Sequence, residues 1–478
     1  MNIPWPLRDL LRHPGVYLVG GAVRDWMLGR PVNDYDIVVE ADPLSFAREV
    51  GFRLGLRPFQ LGKDQTVNFR IVDGDRVYDF SQLRGRTLED DLKKRDFTIN
   101  AMGYDVAAHK VIDPLDGRQD LHLKCVRLVS KNAVTSDPLR MLRAFRFAAV
   151  LGFRIASQTM RWIDREARRI TESAPERICG ELSYLLAVNP SAPYVRQAVE
   201  TGLLLRIIPE LKVCSGCRLH SIHRDGLQHA MAAYQAMEEV LSRYPEFWPD
   251  VAPFIERYLE KTDGHVLLKW VSLLHDVGKP ATKPADAVKP VQSLAHEVEG
   301  ARIAGDIARR LRMPGWHEDY ISRMVAGHLH FFQLFAAQEN DALSSRMMVR
   351  FMMKYGDDVV ALVMHALADQ SAKVASPPAL RGKLIRFGRR VLLKYLNDVK
   401  PKMNAPRLVT GYDLMQRFRL KPSKLIGNLL GRIEEARLDG RIRTKGEGLE
   451  LAGEILKMEG DAGIEPATPS SGGLCSIR

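Results

Sequence analysis

The apolar residues of this chain change their spacing from one stretch to the next. Over residues 1–125 they come in short β-branched runs, Val16–Val19, Ile37–Val39, Val67–Val72 and Val77–Phe80, punctuated by Gly, Asp and Pro. Such runs between turn residues predict strands and an α/β segment. From about Ser136 to Ile208 the spacing is helical, with Leu139, Leu142, Phe145 and Ala149 on one face, and no strand is predicted. From His220 to about Asp369 further helices carry spaced His and Asp residues, and beyond Pro377 the helical stretch is rich in Lys and Arg. The last residues, AGIEPATPSSGGLCSIR, are small and aperiodic and predict a disordered tail. No internal repeat is visible. The expected division is a head at 1–130, a helical neck at 131–215, a His/Asp-bearing body at 216–375, a basic helical tail at 376–460 and a disordered end at 461–478.

Composition narrows the class. A chain of 478 residues with 46% hydrophobic and 27% charged positions is long enough for two to four cored domains and excludes general disorder. No apolar run approaches the roughly 20 residues that span a bilayer. The N-terminal MNIPWPLRDLLRHPG lacks a signal-peptide pattern, so a cytoplasmic location and no membrane partner are expected. Five cysteines make no disulfide framework. The net charge of +12 points to a polyanion, and its distribution says where. Residues 381–445 hold 18 Lys/Arg against 5 Asp/Glu, whereas residues 1–380 carry a net charge of only +3.

The candidate chemistry begins in VYLVGGAVRDWMLGRPVNDYDIVVE. A strand runs into Gly20-Gly21 and then into a helix ended by Gly29. Paired glycines before a helix let the backbone approach a phosphate at the helix N-terminus, and Arg24 adds a guanidinium to the same anion. Asp34 and Asp36 are two apart on the next strand, so their carboxylates share a face. Two carboxylates beside a phosphate cradle suit a two-magnesium nucleotidyl transfer. The same Asn33-Asp34-Tyr35-Asp36 also reads as a solvated turn entering a strand.

Further segments carry a family resemblance. GGAVRDWMLGR with DYD, KKRDFTINAM (Lys93–Met102), SDPLRMLRAFRFAAVLGF (Ser136–Phe153), APERICGEL (Ala174–Leu182) and Leu408–Ile442 stand in order along the chain. Together they resemble the polymerase-β-like nucleotidyltransferases of the bacterial tRNA CCA-adding and poly(A) polymerase family, in its HD-bearing form. The resemblance implies a head with a small mixed sheet, then an all-α neck, an HD body and a tail that contacts tRNA. It implies transfer of CMP from CTP to tRNA 3′ ends, with AMP from ATP as a second candidate, and Mg2+ as cofactor. Asp34 and Asp36 would hold the metals. Asp79 would be a third carboxylate assisting the attacking hydroxyl, or else a strand-end cap. Arg95, Asp96 and Asn100 would line the sugar and triphosphate, or else form a surface pair and a helix cap.

Asp137 and Arg140, three apart on one predicted helix, would read the Watson–Crick edge of the incoming base; the alternative is a capping Asp with a local salt bridge. Ser136 stands where relatives often have Glu. Arg143 and Arg146 would continue the basic face toward triphosphate or RNA. Between Leu83-Arg84 and Leu88 only Gly85-Arg86-Thr87 intervene, where full CCA-adding relatives carry a longer loop tied to the switch from C to A. This resembles the CC-adding subset, which leaves the terminal A to a separate A-adding enzyme; CC-only and full CCA addition both stand. A poly(A) polymerase is the weaker alternative, since Leu61–Thr66 matches that branch's signature only loosely.

His229, His275-Asp276 in SLLHDVGKP and Asp369 match the ligand pattern of HD phosphohydrolases. The resemblance implies a divalent metal (Mg, Mn, Ni or Co) and hydrolysis of an RNA cyclic phosphate or 2′-phosphate. His296 and His328 stand where some HD proteins bind a second ion, or are ordinary core or surface histidines. An HD scaffold kept for packing is the plain alternative. Cys214, Cys217, His220 and His223 invite a zinc reading, but the span is too short for a finger. Two other classes stay open: an HD phosphohydrolase with an RNA-binding head, and a charge-driven RNA-binding protein.

Overall fold

The β-branched runs of the head pair into one mixed sheet. The computed structural model describes residue 9 and residues 11–62, 67–215, 225–282, 293–373 and 377–461. Its strands are β1 (Val16–Val19), β2 (Asp34–Val39), β3 (Phe59–Leu61), β4 (Asn68–Asp73), β5 (Arg76–Gln82), β6 (Gly103–Asp105) and β7 (Lys110–Ile112). Their spatial order is β3-β4-β5-β2-β1-β6-β7. Within this sheet β2 and β5 run parallel, setting Asp36 beside Asp79, and the other neighbours are antiparallel.

Strand alternation sorts the faces. Tyr35, Ile37 and Val39 pack into the main core with Ile71, Tyr78 and Phe80, under the helix Pro43–Leu54. Asp34 and Asp36 project from the opposite face. At the far end of that face Val38 packs with Leu88 and Leu92 of the short helix Leu88–Leu92. One side of the sheet therefore buries aromatic rings, and the other opens at one end onto carboxylates.

The rest is almost wholly helical. Helix Arg140–Leu151 buries Leu142, Phe145 and Ala149, the face expected from spacing, and ends at Gly152 in the left-handed region. One difference from expectation lies here: Arg154–Ile155 forms a parallel strand with Cys125–Val126. A two-residue strand is too short to leave a periodic signature, so only pairing reveals it.

In the body, helices Gly226–Phe247, Gly264–Leu274, Ser293–Arg310, Gly315–Gly327 and Val359–Ala372 surround the buried histidines. Neck and body meet around a buried ion pair of the body, Lys269 Nζ to Glu238 Oε1 at 2.8 Å, and Lys269 also donates to the neck carbonyl of Val188. Glu238 also accepts hydrogen bonds from the Ser191 and Ala192 N–H groups and the Ser191 hydroxyl. Its acceptors are thus filled, the condition under which a buried charge is tolerable.

The tail has a core of its own, formed by Val409, Leu414, Ile426, Leu429, Ile433, Ala436, Ile442, Ala452 and Ile455. Arg346 and Arg350 of the body grip the buried Glu435 of that tail. Residues 378–394, also basic, belong to the body instead: Leu384, Phe387, Val391 and Leu392 pack into the main core. No helix among the described residues is long and apolar enough to cross a membrane. The 462–478 segment lies outside the described residues, as do Cys217, His220 and His223 of the zinc reading and Lys63–Thr66 of the poly(A) signature.

Candidate functional site

An open cleft of about 1110 Å³ lies between the polar end of the sheet and the neck. It is lined by Gly20, Gly21, Arg24, Asp34, Asp36, Asp79, Arg95, Asp96, Asn100, Asp137, Arg140, Arg143 and Arg146. The structure thus brings together every catalytic and nucleotide-binding candidate that the sequence offered in the head and neck.

Asp36 is the centre of the site. Burial pushes its carboxyl up against the pull of Arg95, and the charges of Asp79 and Asp34 push it further. Among the described residues neither Asp34 nor Asp36 accepts a side-chain hydrogen bond. Three carboxylates gathered in one cleft, Asp36 and Asp79 half-buried, fit a divalent cation that would offset their repulsion. The glycine turn is shaped around them. Gly20 has φ +72, and a Cβ there would lie 2.8 Å from Asp36 Oδ2 and 2.9 Å from an Arg95 guanidinium nitrogen. The small residue is needed both for the backbone angle and for this close approach.

Asp79 is mid-strand and not a strand-end cap. Both its oxygens accept from Arg70, whose Nε and terminal nitrogen each lie 2.7 Å away. Arg24 donates to Asn100 at 2.6 Å, and Asn100 donates to Asp96 at 3.1 Å. Arg143 closes on Asp96 at 2.7 Å, and Arg146 on Glu181 at 2.6 Å. Burial favours protonation of Asp96, but Arg143 and the hydrogen bonds from Asn100 and the Phe97 N–H hold its carboxyl below the usual range.

Arg143 and Arg146 are therefore not the free basic face expected. Their charges are answered by Asp96 and Glu181, and Arg146 lies over the Phe147 ring, 4.2 Å from its centroid. They brace the wall between head and neck. Glu181, on helix Pro175–Ala187, belongs to the quoted APERICGEL segment, yet only its contacts show that it binds this pair of arginines.

Asp137 and Arg140 also differ from expectation. They do not share a helix: Asp137 ends Lys131–Ser136, and Arg140 opens Arg140–Leu151 after the break at Pro138. A proline there interrupts the helical periodicity that spacing alone suggested. The two residues still meet, through Arg140 N–H to Asp137 C=O at 3.1 Å. The Arg140 guanidinium donates to the carbonyls of Lys94 and Arg95, so the KKRDF segment fixes its position. Its Nε–H has no acceptor among the described residues. Asp137 Oδ1 accepts from the Leu139 N–H, and Oδ2 from Arg177 at 2.9 Å.

A second cluster is buried in the body. His229 Nε2 lies 3.2 Å from His275 Nε2 and 2.9 Å from Asp369 Oδ1. His275 Nε2 lies 3.3 Å from Asp276 Oδ2. His229, His275 and Asp276 form one group able to hold an ion, and Asp276, His296 and His328 another. His296 and His328 are thus neither surface residues nor isolated core histidines. His365, which spacing did not flag, packs with its ring centroid 5.0 Å from that of His275.

Four of the imidazoles, those of His229, His296, His328 and His365, each leave a ring nitrogen buried without a hydrogen-bond partner. Buried polar atoms are rarely left so, and nitrogen and carboxylate donors are what a divalent transition metal takes. The residues fit a metal. Burial works against ionisation of Asp276 and Asp369, yet His275 and Lys279 around the first, and Lys373 and His229 around the second, hold both well below the usual range.

Comparison with known proteins agrees with this anatomy. Three family models match: Poly A polymerase head domain over residues 16–127, Probable RNA and SrmB- binding site of polymerase A over 152–214, and HD domain over 250–351. An A-adding tRNA nucleotidyltransferase of Deinococcus radiodurans is 32% identical over 91% of this chain and 94% of its own. A CC-adding tRNA nucleotidyltransferase of Synechocystis sp. is 29% identical over 95% of this chain and 97% of its own. A solved CCA-adding enzyme in complex with CTP has TM-score 0.65 and 21% identity, covering 95% of this chain and 96% of that one. At that identity the likeness shows the fold alone.

Proposed function

Because the chain belongs to the tRNA nucleotidyltransferase family, we propose that it transfers CMP from CTP to the 3′ end of tRNA and stops after two C residues. The terminal A is then left to a separate A-adding enzyme in the same cytoplasm. Asp34 and Asp36 would hold Mg2+, which when bound lowers the charge of the triphosphate and the pKa of the attacking hydroxyl. Gly20, Gly21, Arg24 and Arg95 flank the triphosphate, while Arg140 and Asp137 read the base. The 3′ oxygen bonds to the α-phosphorus, the bond from that phosphorus to the pyrophosphate oxygen breaks, and the hydroxyl proton leaves to a carboxylate or water.

One observation carries the CC endpoint. The Leu83–Thr87 connection is not merely short but tied down at nearly every residue. Leu83 N–H donates to Val39 C=O, Arg84 N–H to Asp91, and Arg86 and Thr87 N–H to Asp90 Oδ2. No slack remains there to reshape the pocket for a second base. The test offers tRNAs ending at the discriminator base, at C and at CC with CTP, ATP or both. Two C additions to the first and no AMP on the last are expected. AMP added to tRNA ending in CC overturns the endpoint, and no incorporation at all overturns the reading.

Four neighbouring exposed cations, Arg417, Arg419, Lys421 and Lys424, mark the tail face that would grip tRNA. Phosphate contacts release counterions, so the tRNA dissociation constant should rise steeply with salt. The double substitution Arg419→Glu and Lys421→Glu should weaken tRNA binding by about tenfold, roughly 1.4 kcal/mol, with CTP binding unchanged. A filter-binding titration at two salt concentrations checks both.

The same reading gives the body a divalent-metal phosphoesterase site, held by His229, His275, Asp276 and Asp369. The buried, unpartnered ring nitrogens support it over a scaffold kept only for packing.

A further inference from the structure

The cleft has two flanks about Asp36, and the nucleotide accounts for one. Gly20, Arg95 and Arg24 lie on the β1 side. On the other side the sheet continues in a straight row, Asp36 on β2, Asp79 on β5 and Arg70 on β4, set by the strand registers. Adjacent strands are about 4.8 Å apart, so the Arg70 backbone stands roughly 10 Å beyond that of Asp36. Asn68 and Ser81, register partners of each other, lie beside this row and line the same cleft. Among the cleft residues that β4 and β5 supply, Arg70 is the one cation.

Resting on the proposed transfer to RNA, we propose that Arg70 binds the 3′-terminal phosphodiester of the RNA acceptor. An in-line displacement places the attacking and leaving oxygens on opposite sides of the phosphorus. With the triphosphate on the β1 flank, the acceptor end approaches over β5 and β4, where it meets Asp79, Arg70, Asn68 and Ser81. Arg70 is equipped for an anion there. Two of its five N–H groups go to Asp79, its side chain is 37% exposed, and its remaining donors meet no acceptor among the described residues. A guanidinium can hold a carboxylate on one edge and a phosphate on another.

The pairing also has a consequence for Asp79. Both its oxygens accept from Arg70, so the position of the carboxylate follows that of the guanidinium. A guanidinium that holds Asp79 on one edge and the RNA phosphate on the other fixes where the terminal ribose lies relative to the carboxylates. Arg70 is then a positioning residue as well as an RNA contact. Its charge serves the acceptor, and not the nucleotide.

The experiment measures tRNA binding without CTP, then KM and kcat, for wild type, Arg70→Ala and Arg70→Lys. Arg70→Ala should raise the tRNA dissociation constant about tenfold and leave KM for CTP within about twofold. With one fewer phosphate neutralised on a single strand, the slope of log Kd against log salt should also become shallower by about 0.7. Arg70→Lys keeps the charge without the fork, so it should restore the slope but not kcat. The proposal is overturned if Arg70→Ala leaves tRNA affinity and salt slope unchanged, or raises KM for CTP as much as that for tRNA. If the alanine variant melts early, Arg70→Lys decides alone, and wild-type kcat in it overturns the proposal. Wild-type enzyme that binds tRNA but incorporates no CMP would defeat the proposed function, while the binding arm would still report on Arg70.

Discussion

Asp36→Ala abolishes CMP incorporation, with kcat down by at least about 10³-fold, or about 4 kcal/mol in the barrier, while tRNA still binds. Asp36 is the half-buried carboxylate against which Gly20 and Arg95 are fitted. Alanine removes a proposed metal ligand and leaves Arg95 facing a cleft short of one negative charge. With the basic tail as the proposed main tRNA contact, tRNA affinity should move little. Labelled CTP and a filter-binding assay on the same preparation separate the two quantities, and incorporation within tenfold of wild type would defeat the assignment. The pH dependence has a definite sign. Burial and the neighbouring carboxylates raise Asp36, so a proton competes with the cation there as pH falls. At limiting Mg2+ activity should drop toward acid pH, and excess Mg2+ should restore it.

Removal of Asp276 has an effect of similar size in the other site. Asp276 belongs to both candidate metal groups of the body, so Asp276→Ala should empty both. Bound divalent metal, read by elemental analysis, should fall to background, and phosphodiesterase activity should go with it. CMP addition should persist within about threefold, because the cleft and this cluster are built from separate side chains. Stability gives a second readout. An ion that binds only the folded state at 100 times its dissociation constant adds about 2.7 kcal/mol. Wild-type Tm should therefore rise with Mn2+ or Ni2+ and fall on chelation, and the variant should do neither. If addition collapses in parallel, the two centres are not independent.

The head shows how far local pattern reaches. Alternation in Asp34–Val39 already puts both carboxylates on one face, and Gly20-Gly21 before a helix already marks a turn that must pass close to something. These are properties of a few adjacent residues, and they survive in the fold unchanged. Asp137 and Arg140 show where local pattern fails. Their separation of three suggests one helix, but Pro138 breaks it, and the pair meets across a junction. Arg143 and Arg146 read as free cations along a helix because their partners, Asp96 and Glu181, are 47 and 35 residues away in sequence. A count of charges cannot distinguish a solvated arginine from one closed on a distant carboxylate.

The order of segments, the strand-borne carboxylates, the adjacent His275-Asp276 pair and the concentration of charge beyond residue 380 were all determined by the sequence alone. Each is a matter of residue type, period or adjacency. What tertiary structure decided is which groups share a site. It placed His296, His328 and the unflagged His365 around His275, split the basic region into a body helix and a separately cored tail, and set Arg70 against Asp79. The physical reason is common to all three. Burial, strand register and long-range ion pairing depend on contacts between segments far apart in the chain, and such contacts leave no periodic trace in either partner.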